Sequence, residues 1–130
     1  MEPKLAAAIE WMFAVASVVV GASHALQAQI WMRFFRYLHA LGRNGAYVNG
    51  IIAGVPGLII VIGHRVWSWP WVLLTMLGWL LVAKATLCFL VPDRALKSMD
   101  FGARSRAGFV VAGLLLLSVG LLACCGLWSE

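Results

Sequence analysis

Three ionisable side chains stand inside otherwise apolar runs, and they are where this sequence has the means to do chemistry: Glu10, His24 and Lys84. Such groups are costly in hydrocarbon. They therefore face a protein interior or a watery cavity, and they mark ion paths, proton relays or ligand sites. Ser23 adjoins His24, and Gln27, Asn49 and Thr86 fall at a similar depth. Together with Lys84 these residues form a candidate set for holding an anion or passing a proton. The competing reading makes Lys84 an anchor. It lies ~20 Å along a helix from Trp71, and a lysine stem can carry its ammonium toward the nearer surface. A central lysine costs only ~2.5–3.5 kcal/mol on insertion scales, so snorkelling is energetically tolerable.

Glu10 lies at a different depth, ~8 Å from the start of its run at Leu5. A direct pair with Lys84 would have to close a gap of ~12 Å, more than ordinary tilt supplies. His64 and Arg65 are the nearer partners, and an ion pair at the outer surface is the expectation. Cys88, Cys124 and Cys125 lack the spacing of a metal site or a disulfide framework. The sequence contains no zincin pair, phosphate loop, nucleophile elbow or carboxylate pair. We therefore expect no enzyme, no catalytic residue, no metal and no cofactor.

The elements that must position these residues are membrane spans. Of 130 residues 63% are hydrophobic and 12% charged, with a mean hydropathy of +0.93. Apolar stretches run over Leu5–Leu26, Ala46–Gly63, Trp69–Val91 and Ala107–Trp128. Each is near the ~20 residues that cross a bilayer, and backbone satisfaction in lipid demands helices. The fold class is all-α: a polytopic membrane protein with four transmembrane helices in a single domain over 1–130. The first stretch is read as a retained span, because its opening "MEPK", Glu10 and its length do not suit a signal peptide.

The net charge of +5 is an orientation signal rather than a nucleic-acid surface. Arg33, Arg36 and Arg43 fall in the first connection, and Arg94, Lys97, Arg104 and Arg106 in the third; Lys4 and Arg65 fall on the other side. The positive-inside rule then places both basic connectors in the cytoplasm and both termini outside. Trp11, Trp67, Trp69, Trp71 and Trp128 all fall near the outer ends, as an aromatic belt does. The expected partners are membrane lipids, anionic ones included, and not nucleic acid.

Shifting the chain by 61 residues lays Arg33, Arg36 and Arg43 on Arg94, Lys97 and Arg104, and Ala22 and Ala46 on Ala83 and Ala107. Each half reads as span, basic amphipathic connector, span. Two parallel-repeat hairpins result, 5–63 and 69–128. In the first connector Ile30, Trp31, Phe34, Phe35, Leu38 and Leu41 share one helical side, and Gln29, Arg33, Arg36, Ala40 and Arg43 another. Trp31, Arg33, Phe34, Phe35, Arg36 and Arg43 are the expected lipid or partner surface, and Gly42 or Gly45 the helix end. Met99 and Phe101, against Lys97, Asp100 and Arg104, make a fainter copy.

Small residues provide the packing. Ala46, Gly50, Gly54 and Gly57 form a stripe in the second span; Ser17 with Gly21, and Gly108 with Ala112, are similar pairs. They allow close helix contact within the bundle, in a homo-oligomer, or on a larger membrane complex.

From "GHRVWSWPWVLLTMLGWLLVAKATLCFLVPD" the chain resembles a family of small bacterial integral membrane proteins of unknown function. The matching residues are His64, Trp67, Trp69, Gly78, Trp79, Lys84, Pro92 and Asp93; Arg65 stands where that family usually has asparagine. The resemblance implies two hairpins and makes Lys84 part of a pattern. It implies no activity. Small multidrug resistance transporters share the length and a glutamate in the first helix, here Glu10, but they are weakly charge-biased. Fluoride channels have a glycine-rich first helix and a phenylalanine-lined track that this sequence lacks. The leading functional expectation is a non-enzymatic membrane scaffold or accessory subunit. Its competitor is a small oligomeric channel or transporter using His24, Lys84 and Glu10. A wet track reaching Lys84 would favour the competitor, and a dry bundle the scaffold.

Overall fold

A computed structural model describes residues 3–129, and these are almost entirely helical. The elements are α1 (Pro3–Leu26), α2 (Ala28–Ala40), α3 (Arg43–Gly63), α4 (Val72–Leu90), α5 (Pro92–Ala103) and α6 (Arg106–Trp128). Helices α1, α3, α4 and α6 are long and apolar enough to cross a membrane, at 24, 21, 19 and 23 residues. The protein is thus an all-α polytopic membrane protein. The second span starts at Arg43, one turn before the apolar run, because basic and polar residues extend the helix past the hydrocarbon. The third starts at Val72 rather than Trp69, because residues 64–71 form the turn between α3 and α4.

The junctions follow from local chemistry. A single residue, Gln27, joins α1 to α2, and its carbonyl accepts the Ile30 N–H at 2.9 Å. Gly42 lies between α2 and α3 with φ +63°, a left-handed conformation that a side chain disfavours. Just beyond it Gly45 presses on the Leu38 carbonyl, where any Cβ would collide. So Gly42 makes the turn and Gly45 is already helical. Pro92 opens α5 at the first helical position, where its missing N–H costs nothing, and Asp93 follows in the first turn. Ser105 caps α6 by accepting the Gly108 N–H at 2.9 Å.

The spans pack as two tight antiparallel pairs, α1 with α6 and α3 with α4. In the first pair Gly21 faces Gly113, and Ser17 and Val18 face Gly120. A Cβ added at Gly113 would sit 2.5 Å from the Ala25 nitrogen and 2.7 Å from the Gly21 carbonyl oxygen, so the two backbones are in direct contact. In the second pair Gly50 lies on Cys88 and Phe89, Gly54 on Ala85, Gly57 on Leu81 and Val82, and Gly78 on Ile60. Each half of the chain therefore gives one span to each pair. α1 and α3, neighbours in sequence, meet only sparsely.

Two regions tie the pairs together. At the end that carries the N-terminal start of α1 and the 64–71 turn, Ile9, Ile60 and Leu74 form a buried cluster with Phe13, Trp71 and Leu81 around it. We call this the terminal end; Trp11 and Trp128 meet there edge to face, with centroids 6.3 Å apart. At the opposite, connector end α2 packs on α5, and Arg43 approaches Asp93 at 3.6 Å.

Candidate functional site

The candidate residues separate into two groups at opposite ends. Glu10, which only the channel alternative grouped with His24 and Lys84, belongs to the terminal end. Its Oε1 lies 2.9 Å from Nε2 of His64, and Nδ1 of His64 lies 3.1 Å from the Thr75 hydroxyl. His64 is 0% exposed, Thr75 1% and Glu10 7%. The expected pairing with His64 is present, but it is buried rather than at the surface. The reason is the apolar cluster of Ile9, Ile60 and Leu74, which lies beside it, and Trp71, whose ring meets His64 edge-on at 6.5 Å. Arg65 is exposed.

Hydrogen-bond accounting sets the protons of this cluster. The Thr75 hydroxyl donates to the Val66 carbonyl at 2.7 Å. Its oxygen is therefore an acceptor toward His64, and Nδ1 carries a proton. The Nε2–Oε1 contact then holds one further proton, either on nitrogen as imidazolium and carboxylate or on oxygen as neutral imidazole and carboxylic acid. Thr75 and the Val66 carbonyl are partners the sequence did not signal. A threonine in an apolar run ordinarily bonds the carbonyl one turn back, as Thr86 does to Val82 at 2.9 Å.

The second group lines a cleft of about 680 Å³ at the connector end. His24 comes from α1, Phe35 from α2, Asn49 from α3, Lys84 and Cys88 from α4, Arg94 and Ser98 from α5, and Phe109 and Ala112 from α6. The cleft exists because α4 and α6 belong to different tight pairs, leaving α5 to bridge the gap between them. Lys84 is exposed to it and, among the described residues, has no carboxylate within ion-pair distance. Among the described residues no Asp or Glu lines the cleft. Asp93 is engaged by Arg43, and Asp100 by Arg104.

The back wall of the cleft is fixed. Trp31 stacks on His24 with centroids 4.0 Å apart and donates its Nε1–H to the Ser23 hydroxyl at 2.9 Å. His24 Nδ1 lies 2.9 Å from the Val20 carbonyl, which can only accept, so Nδ1 carries a proton. Nε2 is the nitrogen left for a ligand, and toward an anion it must carry a proton too, the ring then being an imidazolium. Asn49, 2% exposed, places its amide 3.9 Å from the Cys88 sulfur. Ser23, His24, Asn49 and Lys84 thus do gather at one end. Gln27 is exposed at the α1–α2 junction, and Thr86 turns away to the opposite side of α4.

Other expectations change place. Trp31, Phe34 and Phe35 are half-buried, packing on one another, His24 and Phe109, so these aromatics fasten α2 to the bundle. Arg33 and Arg36 remain exposed. Met99 is buried while Phe101 is 82% exposed, so they do not share one face as the fainter copy required. In the small-residue stripe Gly50, Gly54 and Gly57 are engaged within the chain against α4, and Ala46 is buried. Of the pair Gly108 and Ala112, Gly108 meets only Ser105; Gly113 and Gly120 carry the α6 contact. Among the described residues no group of three or more His, Cys, Asp or Glu side chains is placed to hold a metal ion.

Fold and site together define a small polytopic helical protein with a buried proton-sharing contact at one membrane end and a cationic cleft at the other. Comparisons with protein families, with curated proteins and with solved structures give no match to this chain.

Proposed function

We propose that this is a non-enzymatic protein of a bacterial inner membrane that holds an anionic ligand in the connector-end cleft, as a small binding or transport unit. The observation that carries the reading is Lys84. Its ammonium opens on a cleft that also holds His24 and Arg94 and, among the described residues, no carboxylate. An unpaired cation at that depth calls for a counter-charge. The competing scaffold reading draws less support, because the small-residue stripe of α3 has no free face to offer. Glu10 takes no part in the ligand site; it closes the terminal end.

The positive-inside rule supports a cytoplasmic connector end, with Arg33, Arg36, Arg43, Arg94, Lys97, Arg104 and Arg106 there against Lys4 and Arg65 opposite. A parallel repeat is supported by the pairing itself: exchanging the halves maps α1–α6 onto α4–α3 and leaves α2–α5 in place. Kinship with the small two-hairpin bacterial family fits the same picture. Where the working unit is a homo-oligomer or part of a larger membrane complex, α6 offers the surface, with Val111, Leu114, Leu115 and Leu122 exposed.

The test uses Ala112→Cys, which lines the cleft, and Val111→Cys, its exposed neighbour outside it, with the native cysteines replaced. Membrane-impermeant thiosulfonates applied from the connector side should modify position 112 and spare position 111. The sulfonate reagent should react faster than the trimethylammonium one, and Lys84→Met should reduce that preference. No modification at 112, or no charge preference, would remove the reading.

A further inference from the structure

We propose that the occupant of the cleft is one anionic phospholipid of the surrounding bilayer, its phosphate held by Lys84, Arg94 and His24 and its hydrocarbon running out between α4 and α6. This rests on the reading that the cleft takes an anion, and it names that anion and its way in.

Three observations favour a lipid over an anion from water. The first is size. At about 680 Å³ the cleft lies in the ~300–1,000 Å³ range of sites for drug-sized ligands, far more than an inorganic anion fills. The second is the distribution of chemistry. The cations and Asn49 share the space with an apolar wall that includes Leu87, Met99, Phe109 and Ala112. A headgroup with its first methylenes matches both surfaces at once, whereas a bare phosphate would leave the apolar wall facing water. The third is access. α5 gives the cleft the largest share of its lining, with α4 and α6 at its sides. Those two spans are each tightly paired with a different helix, so the gap between them is a lateral way in for a lipid.

The charges also stand at suitable depths. Lys84 is ~9 Å along α4 from its end at Leu90, below the connector surface, while Arg94 lies on the connector helix itself. A phosphate at the boundary is then gripped from beneath and from the rim. Asp93 and Asp100, the carboxylates on the same connector, lie beside Arg43 and Arg104 and do not line the cleft. The Trp31 ring against His24 holds the imidazole in place, with Nε2 the nitrogen that Val20 does not engage.

The test is native mass spectrometry of the whole chain in mild detergent, offered phosphatidylglycerol and phosphatidylcholine with identical chains. The expected result is one phosphatidylglycerol retained per chain in preference to phosphatidylcholine. Retention should fall about five-fold in Lys84→Met and in Arg94→Gln, the scale of one basic residue against an anionic lipid surface. Lys84→Arg should restore it, and Lys97→Gln, on the same connector but outside the cleft, should match wild type. Both lysine variants alter a side chain that no packing contact requires, and Lys84→Arg controls for folding. Equal retention of the two lipids, or retention indifferent to Lys84→Met and Arg94→Gln, would overturn the proposal. In parallel, inorganic phosphate is tested for slowing sulfonate modification of Ala112→Cys. Protection by phosphate with no lipid retained would mean a soluble anion, leaving the broader reading standing. Loss of charge preference as well would end both.

Discussion

His64 Nε2 and Glu10 Oε1 lie 2.9 Å apart although 54 residues separate them, and this contact joins α1 to the end of α3 beside the packing of Ile9 on Ile60 and Gly63. With Thr75 on the other nitrogen, one imidazole connects α1, the α3–α4 turn and α4. Among the described residues no buried side-chain nitrogen or oxygen lacks a partner, so each substitution here creates the orphan that the native fold avoids.

Glu10 variants should separate hydrogen bonding from charge. Glu10→Gln keeps a side-chain amide able to donate to Nε2 of a neutral His64, so its stability should lie within ~1 kcal/mol of wild type. Glu10→Leu leaves Nε2 buried and unpaired, and should cost ~1–3 kcal/mol. Equilibrium unfolding in mixed micelles reads both values. Equal losses would mean that charge, not the hydrogen bond, holds this end.

Thr75 is predicted to fix the imidazole tautomer. Selective nitrogen-15 labelling of histidine should show a proton on Nδ1 of His64 in the wild type, because the Thr75 oxygen can only accept there. Thr75→Val removes that acceptor and should shift the Nδ1 resonance, with a loss between ~0.6 and ~1.7 kcal/mol, the mean and the maximum for interhelical hydrogen bonds in a membrane protein. An unprotonated Nδ1 in the wild type would contradict the assignment.

Packing of α1 on α6 should be intolerant of a single methyl group. Gly113→Ala places its Cβ against the backbone of Ala25 and Gly21, which cannot yield as a side-chain tip can, and should cost ~1–3 kcal/mol. Gly126→Ala, on the same helix with nothing within 4 Å, should be silent. Thermal unfolding of the two variants side by side is sufficient. A silent Gly113→Ala would mean that α1 and α6 lie further apart than described.

The spans and connectors were legible in the sequence because apolar length, basic connectors and helix-stop residues are local signals, and Gly42, Pro92 and Ser105 act locally. Helix partners were not. Nothing in the composition of α1 says that Gly21 meets Gly113 rather than a residue of α3, since every span carries small residues and hydrocarbon gives no amphipathic stripe to read. Depth along the helices, by contrast, was legible: it separated Glu10 from Lys84, and the two lie at opposite ends. Thr75 and Thr86 are indistinguishable by sequence. One meets a turn that folds back over it, the other meets lipid, and only the path of residues 64–71 decides. The cleft itself arises from which pairs form, and so it inherits the same illegibility.

The pairing of α3 with α4 can be checked covalently, and the check also decides what the small-residue stripe is for. Asn49 lies against the native Cys88, with its amide 3.9 Å from the sulfur. Asn49→Cys, with Cys124 and Cys125 changed to serine, should form a disulfide with Cys88 under mild oxidation and leave the chain a faster-migrating monomer on denaturing gels. The same substitution with Cys88→Ala should give no such band. The shorter cysteine side chain brings its sulfur back toward α3, so a modest helix adjustment is needed to reach disulfide geometry. Gly50 and Gly54 permit it by keeping the two helices close. A disulfide-linked dimer in place of the monomer band would mean that the face of Ala46, Gly50, Gly54 and Gly57 meets a second copy. The cleft would then have to be redrawn between subunits.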